Sequence, residues 1–340
     1  MFAFELSFLK WLEGLRTSFL NAVFEGITLL GEETLIILLV VALWFAFDKK
    51  LAQQVFFVTV TSLSVNGIVK NFAKVPRPFT KGVSCVRLDT ATGYAFPSGH
   101  TQGFATWSSF FAIKFKKVWL SILAGVLIAL VAISRLYLGA HYPSDVVVGI
   151  ALGVGLSFFS NYLFAKVQDV KKLYLGTLLL LTPFILYFMC VADPLFADLF
   201  KTFGMLGGLV VVAFLDEKTK PLSYDVAWWK KVIRVVIGVA LALALKEVIK
   251  LINVFDVIQI SLLIDAVRYF VVVMAVGYLC PLVFKKIKKN GKVVGAIGII
   301  GPCRMDYANV MATVDAVAQS VGEMINTELK MLEGPKEGNN

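Results

Sequence analysis

Residues 118–164 read VWLSILAGVLIALVAISRLYLGAHYPSDVVVGIALGVGLSFFSNYLF, and this stretch decides the fold. Two apolar runs, 118–138 and 144–164, are each long enough to cross a hydrocarbon core about 30 Å thick. The turn that joins them is short and polar and carries Arg135, His141 and Asp145. Apolar runs of this length form membrane helices, and a titratable turn at their edge is where chemistry is sought. The rest of the chain has the same character. Its 340 residues are 58% hydrophobic and 16% charged, with a mean hydropathy of +0.80, too apolar for a soluble globule. The fold class is an all-α integral membrane protein.

Further apolar stretches fall at 15–31, 33–47, 51–69, 100–114, 173–191, 196–215, 232–251 and 263–284, giving about ten helices in all, or nine or eight if one is interfacial or re-entrant. Residues 1–14 lack a compact apolar run ending in a small-residue cleavage site, so the segment is read as a retained interfacial helix. A net charge of +10 would point to nucleic acid in a soluble chain, but in a membrane protein basic loops fix orientation. Alternate loops are basic, carrying Lys49 and Lys50, Lys114 to Lys117, Lys166 to Lys172, Lys218 to Lys231, and Lys285 to Lys292. These loops, and with them both termini, are assigned to the cytoplasm, and no nucleic-acid partner is expected. The exceptions are Lys70, Lys74, Arg77, Lys81, Arg87 and Arg135, which fall on the outer side and need another reason. The cysteines Cys85, Cys190, Cys280 and Cys303 form no C-x-x-C pair, so neither a metal ribbon nor a disulfide lattice is indicated.

Three motifs stand on that outer face: Lys70-Asn-Phe-Ala-Lys-Val-Pro-Arg77-Pro78, Pro97-Ser98-Gly99-His100, and Ser134-Arg135-Leu-Tyr-Leu-Gly-Ala-His141-Tyr-Pro-Ser-Asp145. Each sits where an apolar helix meets a loop, and the chain's two histidines both lie in them. A transferring phosphoryl group spreads negative charge over its equatorial oxygens and needs fixed cations and N–H donors. Lys70, Arg77 and Arg135 supply the charge. Ser98 is placed as the N-cap of the next helix, whose free N–H groups face the anion, and Gly99 lets the backbone come close. His141 has Asp145 four residues on, with Pro143 starting a helix between them, so His141 is the expected nucleophile and His100 the general acid. No metal and no cofactor is required, since outside Asp145 the external loops offer mainly Asp89. A single cation at a helix end is most often a snorkelling interfacial residue; the coincidence of all three motifs on one side argues against that here.

Lys-x6-Arg-Pro, Pro-Ser-Gly-His and Ser-Arg-x5-His-x3-Asp resemble, in order and without substitution, the three signature motifs of the type 2 phosphatidic acid phosphatase superfamily, which also contains the vanadium haloperoxidases. The resemblance covers residues 15–165. It implies a six-helix catalytic core, a phosphohistidine at His141 partnered by Asp145, His100 as general acid, and Lys70, Arg77, Ser98, Gly99 and Arg135 as phosphate binders. The expected substrate is a lipid phosphate or diphosphate held in the bilayer, with undecaprenyl diphosphate favoured over phosphatidic acid or phosphatidylglycerophosphate. The expected place is a bacterial cytoplasmic membrane with the site on the extracytoplasmic face. A haloperoxidase is disfavoured because those relatives are soluble and bind vanadate.

Four more transmembrane helices occupy residues 166–284 and carry Arg234, Lys246, Glu247, Lys250, Asp265 and Arg268 at or near membrane depth. Local pairing of Asp265 with Arg268 is the simple reading. A wall for the lipid is another, and a lipid transporter or flippase with a phosphatase-like core is the competing class of function. Residues 285–340 form a basic linker and a short soluble α/β tail, with a strand around Gly295 to Tyr307 and a helix from Ala308 to Leu332. Residues 293–332 resemble the C-terminal end of the bacterial heat-inducible transcription repressor family, with Cys303 where Thr is expected. They carry no DNA reader.

Overall fold

The computed structural model describes residues 3–216, 222–252 and 256–289. Twelve α-helices follow one another, and among the described residues there is no strand. They are α1 (Ala3–Gly14), α2 (Ser18–Thr28), α3 (Glu33–Ala42), α4 (Lys49–Ala73), α5 (Gly99–Phe115), α6 (Val118–Tyr137) and α7 (Pro143–Lys166), then α8 (Val170–Val191), α9 (Ala197–Asp216), α10 (Trp228–Lys250), α11 (Ile258–Met274) and α12 (Cys280–Lys289). Single π-helical stretches, Leu43–Phe47 and Ala275–Leu279, prolong α3 and join α11 to α12. Every apolar stretch read from the sequence is helical. The expected strand and helix of the tail, like Lys218 and Lys220, lie outside the described residues.

Helix starts follow their local chemistry. Asp48 Oδ1 accepts the N–H groups of Lys50 (2.8 Å) and Leu51 (3.2 Å) at the start of α4, and Pro143 takes the first position of α7, where its missing N–H costs nothing.

Six helical stretches are long and apolar enough to span a membrane alone, and α2 with α3, bent by 48°, form a seventh. The other two bundle helices are α5, only 17 residues long, and α10, which carries several lysines. Counting α2–α3 as one broken crossing makes nine, and this places the N-terminal segment at the opposite end of the bundle from the one its loop charges had implied. The Glu5 carboxylate accepts the Ser144 N–H (2.7 Å), Arg16 Nε donates to the Tyr137 carbonyl (2.9 Å), and Glu13 accepts the Ser84 N–H (3.1 Å). All three partners stand at the end that holds the motifs. Arg16 of this segment is thus engaged with that end.

Helices α5 and α7 meet backbone to backbone. A methyl on Gly149 would lie 2.9 Å from the Ser98 carbonyl oxygen, and one on Gly153 would lie 2.6 Å from that of Gln102. One turn on, the Ser157 hydroxyl donates to the Thr106 carbonyl (2.6 Å). Small residues four apart are how membrane helices approach closely where no hydrophobic effect drives them together. On the far side of α5, Gln102 Nε2 donates to the Ser62 carbonyl (2.8 Å) and Asn66 Nδ2 to Gln102 Oε1 (2.8 Å), tying α5 to α4.

Helices α8 and α9 pack on each other and on α4; α11 packs on α9, and α10 packs on α3 and α11. The α9–α11 contact uses the same device, since a methyl on Gly204 would overlap the Ala266 carbonyl. Asp265 and Arg268 pair locally at 2.9 Å, as their spacing predicts, and Lys246 reaches Glu33 of α3 at 3.1 Å.

Two outcomes are expected. Gly153→Val overpacks the α5–α7 contact and costs about 1–3 kcal/mol, read as a lower melting midpoint in detergent. A single cysteine placed near Ala3 in a cysteine-free background reacts with a membrane-impermeant thiol reagent from the same side as one at Asp89; labelling from opposite sides refutes the nine-crossing arrangement.

Candidate active site

The three motifs converge at one end of the bundle. Lys70, in the last turn of α4, is buried, and a methyl on Gly99 would stand 3.7 Å from its Nζ, so the ammonium faces the opening turn of α5. Ser98 occupies the N-cap position, but its hydroxyl pairs with that of Thr101 (3.0 Å) instead of capping a backbone N–H. The first turn of α5 therefore lacks a side-chain cap, and the role expected of Ser98 passes to the backbone around it.

The two arginines are held differently. Arg77 donates from Nε to the Gly93 carbonyl (3.0 Å), from Nη1 to that of Ala140 (3.1 Å), and from Nη2 to that of Thr92. Its Nη1 also lies 3.1 Å from His141 Nε2. Arg135 is wholly buried and donates from Nη1 to the Thr28 hydroxyl (2.9 Å), while its Nε and Nη2 have no protein partner. A buried guanidinium with two unpartnered nitrogens is costly unless an anion completes it.

His141 Nδ1 is 3.2 Å from Asp145 Oδ2, and the same oxygen accepts the Tyr142 N–H at 2.8 Å. A carboxylate on Nδ1 fixes the tautomer, so Nε2 keeps its lone pair and accepts from Arg77. Burial first, and then the charges of Arg77, Arg135 and Lys70, push His141 well below the usual imidazole range. The neutral base is its resting form. His100 follows Gly99 on α5, packs against Gly31 after α2, and lines the same cavity as His141, Lys70 and Arg77. The structure thus brings together Lys70, Arg77, Ser98, Gly99, His100, Arg135, His141 and Asp145. Such a set can bind a tetrahedral oxyanion, attack it with an imidazole and supply a proton.

Several contributors were not read from the sequence. Thr28 orients Arg135, Glu5 holds the start of α7, and Asn66 donates to the Pro97 carbonyl (3.2 Å). Of these only Asn66, one turn before Lys70 on the same helix face, left a signal. Asp198, paired with Lys201 at 2.9 Å, also lines the cavity. Cys85 is free and half-buried, and burial raises its thiol above the usual range.

A model of the PAP2 superfamily matches residues 51–169, a PAP2 superfamily phosphatase transmembrane extension matches 200–292, and the HrcA protein C-terminal domain matches 278–311. Phosphatidylglycerophosphatase B of Bacillus subtilis is 31% identical over 171 residues, covering 46% of this chain and 82% of that protein. Undecaprenyl-diphosphatase BcrC of the same organism is 28% identical over 167 residues, covering 45% and 84%. The crystal structure of a transmembrane PAP2-type phosphatidylglycerolphosphate phosphatase from Bacillus subtilis has a TM-score of 0.41 and 27% identity, covering 48% of this chain and 86% of that one.

The depressed basicity of His141 sets a pH dependence. A lowered value keeps the imidazole neutral to lower pH, so the acid limb of kcat/KM, which reports the free protein, falls with its midpoint well below pH 6.5. A midpoint at or above 6.5 contradicts the assignment.

Proposed function

Since this chain belongs to the PAP2 superfamily and is a phosphoric ester hydrolase, we propose that it removes the terminal phosphate of a membrane lipid through a phosphohistidine on His141, with undecaprenyl diphosphate as substrate. The observation that carries this reading is one shared cavity. Lys70, Arg77, His100 and His141 stand at one end of it, and apolar side chains of α3 and α4 continue from them toward the other face. A charged headgroup and a hydrocarbon chain belong together in such a space. The lining runs from Lys70 and His141 along α3 and α4 as far as Trp44 and Phe56, a path that supports binding of one long chain. A polyprenyl diphosphate brings one, whereas phosphatidic acid and phosphatidylglycerophosphate bring two.

In this mechanism Lys70, Arg77, Arg135 and the backbone around Ser98 and Gly99 take the equatorial oxygens. The arriving phosphate draws Arg77 Nη1 away from His141 Nε2 and frees the lone pair. Nε2 attacks in line; the N–P bond forms as the bond to the leaving oxygen breaks, and His100 gives that oxygen a proton. Asp145 balances the charge on the His141 ring. Water then attacks the phosphohistidine and passes a proton to His100, and the N–P pair returns to Nε2 as phosphate leaves. The chemistry uses no metal, and among the described residues no three His, Cys, Asp or Glu side chains gather as a metal site needs. The basic loops at the opposite end of the bundle support a site on the extracytoplasmic face of a bacterial membrane.

Phosphate release from undecaprenyl diphosphate, phosphatidic acid and phosphatidylglycerophosphate, with and without EDTA, tests the reading. The polyprenyl substrate is expected to be fastest, EDTA to have no effect, and His141→Ala to lose about 10³-fold or more. Faster release from phosphatidic acid overturns the substrate, and an active His141→Ala protein overturns the nucleophile.

A further inference from the structure

The cavity does not end at the phosphate site. It continues along α3, where Glu33, Ile37, Val40 and Trp44 lie on one stripe at helical spacing. On α4 it reaches from Lys70 to Phe56, a run of about 21 Å at a helical rise of ~1.5 Å per residue. That is deeper than half of a hydrocarbon core about 30 Å thick. The opposite wall comes from the extension, with Met205 of α9, Ala242 of α10 and Val276 beyond α11. These helices form a closed ring around the space: α3 packs on α4, α4 on α9, α9 on α11, α11 on α10, and α10 back on α3.

Charged contacts at the upper rim tie the ring across the boundary between core and extension. Glu33 of α3 accepts from Lys246 Nζ of α10 and from the Tyr269 hydroxyl of α11, both at 3.1 Å. Such pairs at membrane depth are costly to assemble, and here they sit where three helices must be held together for the ring to close.

We infer that the transmembrane extension is the substrate's chain-binding module: α9, α10 and α11 close against α3 and α4 to form a tunnel that takes the first part of a single prenyl chain while its diphosphate is held at His141. This rests on the proposed phosphatase reading and gives the extension a role in it. Below the Glu33 rim the lining is almost wholly apolar, so the tunnel selects by chain length and branching and not by polar groups. A chain too short to enter forgoes its apolar contacts, and one longer than the tunnel gains nothing more inside it.

The test is a chain-length series on the full protein in detergent, using isopentenyl, geranyl, farnesyl, geranylgeranyl and undecaprenyl diphosphates, with p-nitrophenyl phosphate as a water-soluble control. In the wild type kcat/KM is expected to rise at least tenfold from isopentenyl to geranylgeranyl diphosphate and then to flatten. Ala242→Phe and Met205→Phe, which narrow the tunnel far from the reacting atoms, are expected to lower kcat/KM for the long chains at least tenfold and to leave p-nitrophenyl phosphate hydrolysis within twofold. A wild type that acts on the diphosphates without regard to chain length overturns the tunnel alone, as does an equal loss on all substrates, or no loss, in both variants. A wild type that releases phosphate from none of them overturns the phosphatase reading as well.

Discussion

The contact between α5 and α7 sets the distance on which the site depends. His100 stands at the start of one helix and His141 with Asp145 at the start of the other, so their separation is the separation of two helix ends. Gly149, Gly153 and Ser157 bring the two backbones together where any larger side chain would push them apart. Within a bilayer such packing replaces the hydrophobic effect as the force between helices. The Ser98 N–H donates to the Asp145 carbonyl at 3.0 Å, so the opening turn of α5 hangs directly on α7.

Around this frame the cations divide their work. Arg77 donates to three carbonyls from two loops and acts as a bracket, fixing residues 92–93 to residue 140 while it covers His141. Arg135 has two nitrogens left over and a threonine to aim it. The same residue type thus has most of its donors committed in one place and donors to spare in the other, and what separates them is the number of acceptors within reach. Low dielectric sharpens the contrast, because an unpaired buried charge is far costlier there than in water.

Much of this was legible in the sequence. The helical segments, Pro143 at the start of α7 and the nearness of His141 to Asp145 all follow from local spacing, which one helix turn settles. The broken crossing of α2 and α3 was not legible. Apolar length and loop charge treat each run as a separate span, and neither sees that Thr17, Asn21 and Thr28 meet the end of α6. The positioning roles of Glu5 and Thr28 stayed hidden for a like reason, since each partner lies more than a hundred residues away. Ser98 shows the converse: the position was right and the bond was not, because Thr101 offered its hydroxyl a nearer partner. The charged residues of the extension could be flagged from their depth, but Lys246 finds its meaning only in Glu33, on a helix of the core.

The placement of α1 beside the site has a consequence for how the protein is made. Residues 3–17 carry Glu5, Lys10, Glu13 and Arg16, two charges of each sign. The segment thus carries no positive excess, whereas Lys49 and Lys50 stand together at the far end of the bent α2–α3 pair. Because synthesis runs from N- to C-terminus, α1 is made before α6 and α7. The helix whose buried Leu9 packs on Val83, Ala95 and Tyr142 is thus complete before the loops and helix ends it packs against have been made.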